Sequence, residues 1–153
     1  MVVDITGDFL SVAHRIVWCT LATVDTSGRP RSRVVHPVWE RTGGSLTGWL
    51  YTRPTTPKIG HLRRTPYASC SYWDPAHEVA VAECAAELMG DPDVRRHVWD
   101  LVTGIPEPIG FDPRIMGVED VDDEGVLIVA LTPWRLATGG KVWRPDQAPA
   151  AAS

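Results

Sequence analysis

The segment LYTRPTTPKIGHLRR, residues 50–64, joins a predicted strand to a predicted helix and gathers several anion-binding groups. The strand covers Ser45–Thr52 and is followed by a short loop. A helix is expected over Pro57–Arg64, because Thr56 is a favourable N-cap residue and proline suits the first helical position. Free amides at the helix start, threonine hydroxyls and the charge of Lys58 are the groups that hold a phosphate monoester. The segment therefore predicts a phosphate site where the strand meets the helix.

Lys58 lies in the first helical turn, where its positive charge opposes the helix dipole. An anion bound beside it would compensate for this unfavourable placement. A capped surface helix with a solvated Lys-Arg face fits the same residues, so the segment alone leaves both interpretations open.

Arg33 is a second candidate for the same anion. It begins a predicted strand, Arg33–Trp39, which a turn at residues 41–44 joins to the next strand. Pairing of these two strands would bring Arg33 near Tyr51–Thr52, so that Arg33 and Lys58 converge on one group. An ordinary arginine on a strand surface is the alternative.

The rest of the chain predicts a mainly β protein. Hairpin-length turns separate most of the strands, so the sheet is expected to be antiparallel, and closure into a barrel would remove exposed edges. The predicted strands are residues 16–24, 33–39, 45–52, 68–73, 78–88 and 126–138, and the predicted helices are residues 4–15, 57–64 and 92–104.

Composition limits the classes of function. The 153 residues fit one domain, predicted over residues 1–145, with a disordered tail at 146–153. A net charge of −4 argues against binding nucleic acid through bulk positive charge. No apolar run approaches the length of a membrane span. Three cysteines without C-x-x-C spacing indicate reduced thiols in a cytoplasmic protein and no metal site.

Other polar residues carry weaker signals. The isolated histidines are expected to be structural or solvated: His14, His61, His77 and His97. His36 alternates with Val35 in a predicted strand, and a structural role is favoured over ligand contact. The acids at residues 119–124 lack the glycine and the spacing of a calcium loop, so a solvated loop is expected there.

Four motifs, in this order, resemble the pyridoxamine 5′-phosphate oxidase-like, flavin-binding split-barrel superfamily. They are CTLATVDTSGRPRSRVV at 19–35, LYT at 50–52, TPKIGHLRRTP at 56–66 and LTPWRL at 131–136. The resemblance implies a six-stranded Greek-key split barrel that forms a homodimer with FMN at the interface. It also implies an oxidoreductase acting on a small-molecule substrate, with no catalytic residue assigned.

The resemblance also implies roles for particular residues. The phosphate would be met by Arg33 and Lys58, with Thr56 beside them. Val34 and Val35 would place their backbone beside the flavin ring, and Tyr51 and Thr52 would form the strand pair at the flavin. A second chain would contribute from among Trp134, Trp143 and Arg144.

Two departures from the family pattern argue against oxidation of pyridoxamine phosphate. The C-terminal clasp of those enzymes, of the type Arg-Leu-His-Asp-Arg, is replaced here by GGKVWRP at 139–145, with one arginine and no histidine. Val79 stands where they place a glutamine near the ring.

Two alternative functions on the same fold remain open. One is a reductase that uses the deazaflavin F420, whose acidic tail would be met by Arg53, Arg63 and Arg64. The other is a non-enzymatic flavin-binding, stress-associated protein.

Overall fold

The computed structural model describes residues 5–144, so the tail predicted at 146–153 lies outside the described residues. Within these residues, eight strands, three α-helices and one short 3-10 helix follow one another. The helices are α1 (Ile5–Ile16), α2 (Pro57–Arg64) and α3 (Pro92–Gly104), and the 3-10 helix covers Pro113–Met116. The strands are β1 (Cys19–Val24), β2 (Pro30–Val35), β3 (Val38–Thr42), β4 (Ser45–Thr52), β5 (Tyr67–Trp73), β6 (Val79–Met89), β7 (Leu127–Thr138) and β8 (Lys141–Trp143).

All strand pairs are antiparallel, in the order β2-β1-β5-β6-β7-β4-β3, with β8 paired to β7. The strands share one buried core, to which inward side chains of β1 to β7 contribute, so the sheet curls around it as a split barrel. The two strands at the ends of this order, β2 and β3, are consecutive in the chain and separated only by His36 and Pro37. The predicted mainly β split-barrel class is confirmed.

The predicted count of six strands is wrong. The strand predicted over 33–39 is broken at His36-Pro37, because proline has no N–H to donate to a ladder. Its first half belongs to β2, which pairs with β1, and its second half belongs to β3, which pairs with β4. The eighth strand follows Gly139-Gly140, whose positive φ angles of 57° and 77° form the tight turn between β7 and β8.

The barrel core is organised around buried aromatic rings. Phe9 of α1 packs edge-to-face on Trp39, with ring centroids 5.0 Å apart. The Trp39 indole donates a 2.8 Å hydrogen bond to the Tyr72 hydroxyl, so the polar atoms of both rings are satisfied. A Cβ on Gly48 would lie 2.8 Å from the Trp39 ring, which explains the glycine in mid-strand. The three cysteines are free and buried in this core: Cys19, Cys70 and Cys84.

A second apolar cluster lies where α3 packs on the outer side of β4 and β7. Val98 and Val102 of α3 are buried here with Tyr51 and Ile128. The helix starts as its sequence predicts, since the Asp91 carboxylate accepts the amides of the first turn. Its end leads into the loop at residues 105–112. α3, with 13 residues, is the longest helix in residues 5–144, and none of these helices has the length and apolar character to cross a membrane.

Candidate functional site

Two cations approach each other at one end of the barrel. Arg33 lies on β2 and Lys58 in the first turn of α2. Partial burial lowers the pKa of Lys58, and the charge of Arg33 lowers it further. Burial, followed by the charge of Arg31, lowers the pKa of Arg33. Among residues 5–144, neither Arg33 nor Lys58 forms an ion pair with a carboxylate, so two like charges stand close together without compensation.

Threonine hydroxyls surround the lysine. The Lys58 ammonium donates to Thr56 Oγ1 at 3.3 Å, and the Thr56 hydroxyl donates to the Arg53 carbonyl at 3.0 Å. Since that bond uses the Thr56 proton, the Thr52 hydroxyl must be the donor in its 3.3 Å contact with Thr56 Oγ1. Thr56 occupies the predicted N-cap position of α2, but its side chain makes no capping bond. It faces the lysine instead.

Two buried residues hold the arginine in place. Arg33 Nη1 donates to Thr23 Oγ1 at 2.7 Å and to the Leu21 carbonyl at 3.2 Å. Thr23 Oγ1 is in turn 2.8 Å from Nδ1 of His61, and both residues are buried. The guanidinium is therefore fixed through Nη1, while Nε and Nη2 make no hydrogen bond to the described residues. We call Arg33, Lys58 and the hydroxyls of Thr52 and Thr56 the cation cluster.

The sequence assigns no role in the site to Thr23 or His61. A signal for His61 exists, because residues three apart on a helix share a face and Lys58 precedes it by three. Thr23 lies two residues after Leu21 on β1, so both side chains are on the inward face.

An apolar groove of about 570 Å³ adjoins the cation cluster. Val34 and Tyr51 line it, and they are the chain neighbours of Arg33 and Thr52 in the cluster. The complete lining is Trp18, Val34, Val35, His36, Leu50, Tyr51, Glu107, Pro108, Gly110, Phe111, Ile115 and Met116. The arrangement places a positively charged end beside an apolar slot.

One side of the groove is a row of rings. His36 lies between Trp18 and Phe111, with centroid distances of 5.0 Å and 5.1 Å. His36 Nε2 lies 2.9 Å from the Ile109 carbonyl, so this nitrogen carries the proton that is donated. Burial lowers the pKa of His36, which keeps the ring neutral at pH 7. We call Trp18, His36 and Phe111 the aromatic wall.

The structure gathers the predicted residues by a different route from the one expected. Arg33 was expected to approach Tyr51 and Thr52 through strand pairing, and this is wrong. Arg33 stands opposite Leu21 of β1, whereas Tyr51 and Thr52 pair with β7. Helix α2 instead brings Lys58 to Arg33 at the end of the barrel. The predicted residues fall into two adjoining groups, with Arg33, Thr52, Thr56 and Lys58 in the cation cluster and Val34, Val35 and Tyr51 in the groove.

The remaining candidates lie outside these two groups. Arg53 donates to the Met116 carbonyl at 2.9 Å, at the rim of the groove, while Arg63 and Arg64 are exposed on α2. The other candidates are Trp134, which is exposed on β7, Trp143, which packs against the barrel core, and Arg144, which is exposed at the end of the described chain. Val79 lines a different cavity, beside α1.

Comparison with known proteins assigns the chain to a family. The family model described as pyridoxamine 5′-phosphate oxidase matches residues 8–105. No curated protein sequence matches the chain.

Several solved structures share the fold. General Stress Protein 26 from Bacillus anthracis str. Sterne has a TM-score of 0.70 at 11% identity, covering 93% of this chain and 99% of that one. A pyridoxamine 5′-phosphate oxidase-related, FMN-binding protein from Nostoc punctiforme PCC 73102 has a TM-score of 0.65 at 16% identity, covering 89% and 84%. A structure described as an F420 reductase has a TM-score of 0.58 at 18% identity, covering 83% and 94%. Identities this low demonstrate a common architecture alone.

Proposed function

Because the chain belongs to the pyridoxamine 5′-phosphate oxidase family, we propose that it is an oxidoreductase that binds a phosphorylated flavin, with FMN preferred. The observation that carries the proposal is the pair of cations, Arg33 and Lys58, at the end of an apolar groove, for which residues 5–144 offer no carboxylate partner. Both the chemistry and the placement of these residues match a ring that carries a phosphate.

The cation cluster suits the phosphate. Bringing Arg33 and Lys58 together costs desolvation and repulsion, and a bound dianion compensates for both. Opposite unit charges about 4 Å apart interact by roughly 4 kcal/mol at the effective dielectric constant of a protein surface. The Thr52 and Thr56 hydroxyls supply further hydrogen bonds to phosphate oxygens.

The groove suits the ring. Its volume of about 570 Å³ lies within the range of small-molecule sites, and Val34, Val35 and Tyr51 give it an apolar strand side. A bound flavin supplies hydride and electron transfer, so the chain's task is to hold and orient it and to exclude water. Burial raises the pKa of Tyr51 to about 12, so this phenol, like His36, is neutral at pH 7. No residue of the chain is assigned as a general acid or base.

The cofactor is tested by identifying the small molecule that copurifies with the protein, through its absorption spectrum and mass. Titration of cofactor-free protein with FMN and with F420 then ranks the two. Tighter binding of FMN, by tenfold or more, supports the proposal. A colourless protein that gives no spectral change with either compound contradicts it.

F420 is the second candidate, because basic residues lie near the cation cluster. Arg53 reaches the groove rim, and Arg63 and Arg64 are exposed on the helix that carries Lys58. The acidic tail of F420 would bind along these positive charges. Arg63→Ala and Arg64→Ala should weaken F420 and leave FMN unchanged, so the pair of variants separates the two cofactors.

Turnover decides between an enzyme and a non-enzymatic flavin-binding, stress-associated protein. Reduction of the bound cofactor by a nicotinamide donor, followed by reoxidation with an electron acceptor, supports the oxidoreductase. A bound flavin that no donor reduces favours the binding role.

We also propose that the protein is a homodimer whose interface completes the cofactor site. The outward sheet face carries Val34, which is 66% exposed, and Tyr67, which is 56% exposed. Strand register places both side chains on the same face of the sheet. Val34 pairs with Thr20, and Thr20 pairs with Ser71. Ser71 lies four residues after Tyr67 on β5, so these two side chains point to the same face. Exposed apolar side chains among small residues are typical of an interface.

Val34 connects this face with the groove, because it belongs to both. Sedimentation is expected to give twice the 16.8 kDa mass of the chain. Tyr67→Glu should release monomers and weaken the cofactor as well. A monomeric protein with full cofactor affinity would refute the dimer.

A further inference from the structure

The groove has two unlike parts, and the proposed function uses only one of them. The strand part, Val34, Val35 and Tyr51, is where the flavin ring is proposed to lie. The remaining part consists of the aromatic wall, which continues from Val35 through His36, and the segment from Glu107 to Phe111. A groove of about 570 Å³ is larger than a tricyclic ring alone requires. Space for a second small molecule therefore remains beside the ring.

The aromatic wall consists of three rings in mutual contact. His36 is tilted by 47° to Trp18 and by 45° to Phe111, and its donating nitrogen is used by the Ile109 carbonyl. Trp18 remains 57% exposed, so much of its apolar surface is in contact with solvent. A flat conjugated molecule would cover this surface and gain stacking interactions with it.

Charge restricts the second molecule further. Glu107 is the one Asp, Glu, Lys or Arg among the lining residues, and burial lowers the pKa of His36. The cations Arg33 and Lys58 are committed to the cofactor phosphate. An anion in this part of the groove would meet the Glu107 carboxylate, while Arg53, the cation at the rim, already donates to the Met116 carbonyl. A neutral or cationic molecule meets no such repulsion.

We infer that the aromatic wall is the substrate subsite, and that it takes a flat, conjugated molecule without phosphate, sulfonate or carboxylate groups. The inference rests on the proposed function for the position of the cofactor ring.

The test compares two ligands that share one bicyclic ring, neutral 2-naphthol and anionic naphthalene-2-sulfonate. Binding is measured by calorimetry on the full chain, with the cofactor bound in its oxidised form and again without it. We expect 2-naphthol to bind at least tenfold more tightly than the sulfonate. Trp18→Ala should weaken 2-naphthol about tenfold, the scale of one lost aromatic contact, and change cofactor affinity less than twofold.

Trp73→Ala is the matched control, because Trp73 is 60% exposed and does not line the groove. It should leave 2-naphthol binding unchanged. Glu107→Lys should reduce the preference for 2-naphthol over the sulfonate about fivefold, as expected for a solvent-screened charge.

The outcomes separate the subsite from the proposed function. If the cofactor binds but 2-naphthol does not, or if Trp18→Ala and Trp73→Ala behave alike, the subsite is overturned and the cofactor site stands. If 2-naphthol binds through Trp18 in a protein that takes neither FMN nor F420, the subsite stands and the proposed function fails. If Trp18→Ala dissociates a dimer that binds no 2-naphthol, a second copy covers the wall and the subsite is overturned.

Discussion

Lys58→Ala removes one of the two uncompensated cations and should weaken FMN binding by about 1.5–3 kcal/mol, which is the usual scale of a charged hydrogen bond. This corresponds to a dissociation constant roughly 12 to 160 times larger. Riboflavin, which has the same ring and ribityl chain but no phosphate, should bind the native chain and the variant equally well. The difference between the two ligands isolates the contact between the lysine and the phosphate.

The surroundings of Lys58 determine this magnitude. The side chain is half-buried, so water screens its charge less than it would on an open surface. Arg33 remains in the variant, held by Thr23 and the Leu21 carbonyl, and keeps part of the phosphate affinity. The loss should therefore be substantial without being complete.

The cofactor-free protein should respond in the opposite sense. Because burial and Arg33 lower the pKa of Lys58, folding disfavours its charged form at every pH below that lowered value. Removing the charge relieves this cost and loses one 3.3 Å hydrogen bond to Thr56. The free energy of unfolding of Lys58→Ala without cofactor should thus lie within about 0.5 kcal/mol of the native value, or above it.

The assay is quenching of flavin fluorescence at fixed ionic strength, with urea unfolding of the cofactor-free protein in parallel. Arg63→Ala is the control, since it removes an exposed cation from the same helix. Equal weakening of FMN and riboflavin in Lys58→Ala would show that the lysine supports the fold of the site and not the phosphate. Unchanged FMN affinity would remove Lys58 from the site.

Three further predictions concern the supports of the site. Gly110→Ala should lower stability by about 3 kcal/mol in urea unfolding, because its Cβ would lie 1.9 Å from the Ile105 carbonyl oxygen; a change below 0.5 kcal/mol would contradict this. Thr23→Val, which removes a buried acceptor from Arg33, should cost about 1–3 kcal/mol and weaken FMN more than riboflavin in the same titrations; equal effects on both ligands would count against it. The pKa of Asp25 is lowered to about 2, first by the hydrogen bond from the Arg29 amide. The ionised carboxylate therefore stabilises the fold above its ordinary pKa of 3.8, and this stabilisation is lost as pH falls towards 2. Acid unfolding of Asp25→Asn should lack this part of the pH dependence, and an identical profile would refute the assignment.

Local chemistry predicted most of the secondary structure correctly. Asp91-Pro92 and Thr56-Pro57 are cap and proline pairs, and both helices begin where these pairs predict. The strand predicted over residues 78–88 lies within one residue of β6, Val79–Met89, and the mainly β class followed from composition and turn signals. These features depend on neighbours in the chain, which the sequence displays directly.

Long-range pairing was less accessible. The break at His36-Pro37 divides one apolar run into two strands that lie at opposite ends of the sheet. The proline predicts the break, but it does not predict the strand with which each half pairs. The predicted position of Arg33 therefore rested on the wrong strand pairing, although the prediction also placed Arg33 near Lys58.

The parts of the site that the sequence missed depend on contacts between distant elements. Thr23 and His61 are 38 residues apart and meet only because α2 covers the end of the barrel. His36 and Phe111 meet because the loop after α3 returns to β2. The periodicity of one segment does not predict a contact between side chains of two distant segments.

Residues 36 and 37 limit how far the two ends of the curled sheet can move apart. They join β2 to β3, and three Cα–Cα steps of 3.8 Å allow Val35 and Val38 to separate by at most about 11 Å. His36 belongs both to this link and to the aromatic wall of the groove. Covalent reach, and not packing alone, therefore holds this ring beside Val35 even when the surrounding contacts loosen.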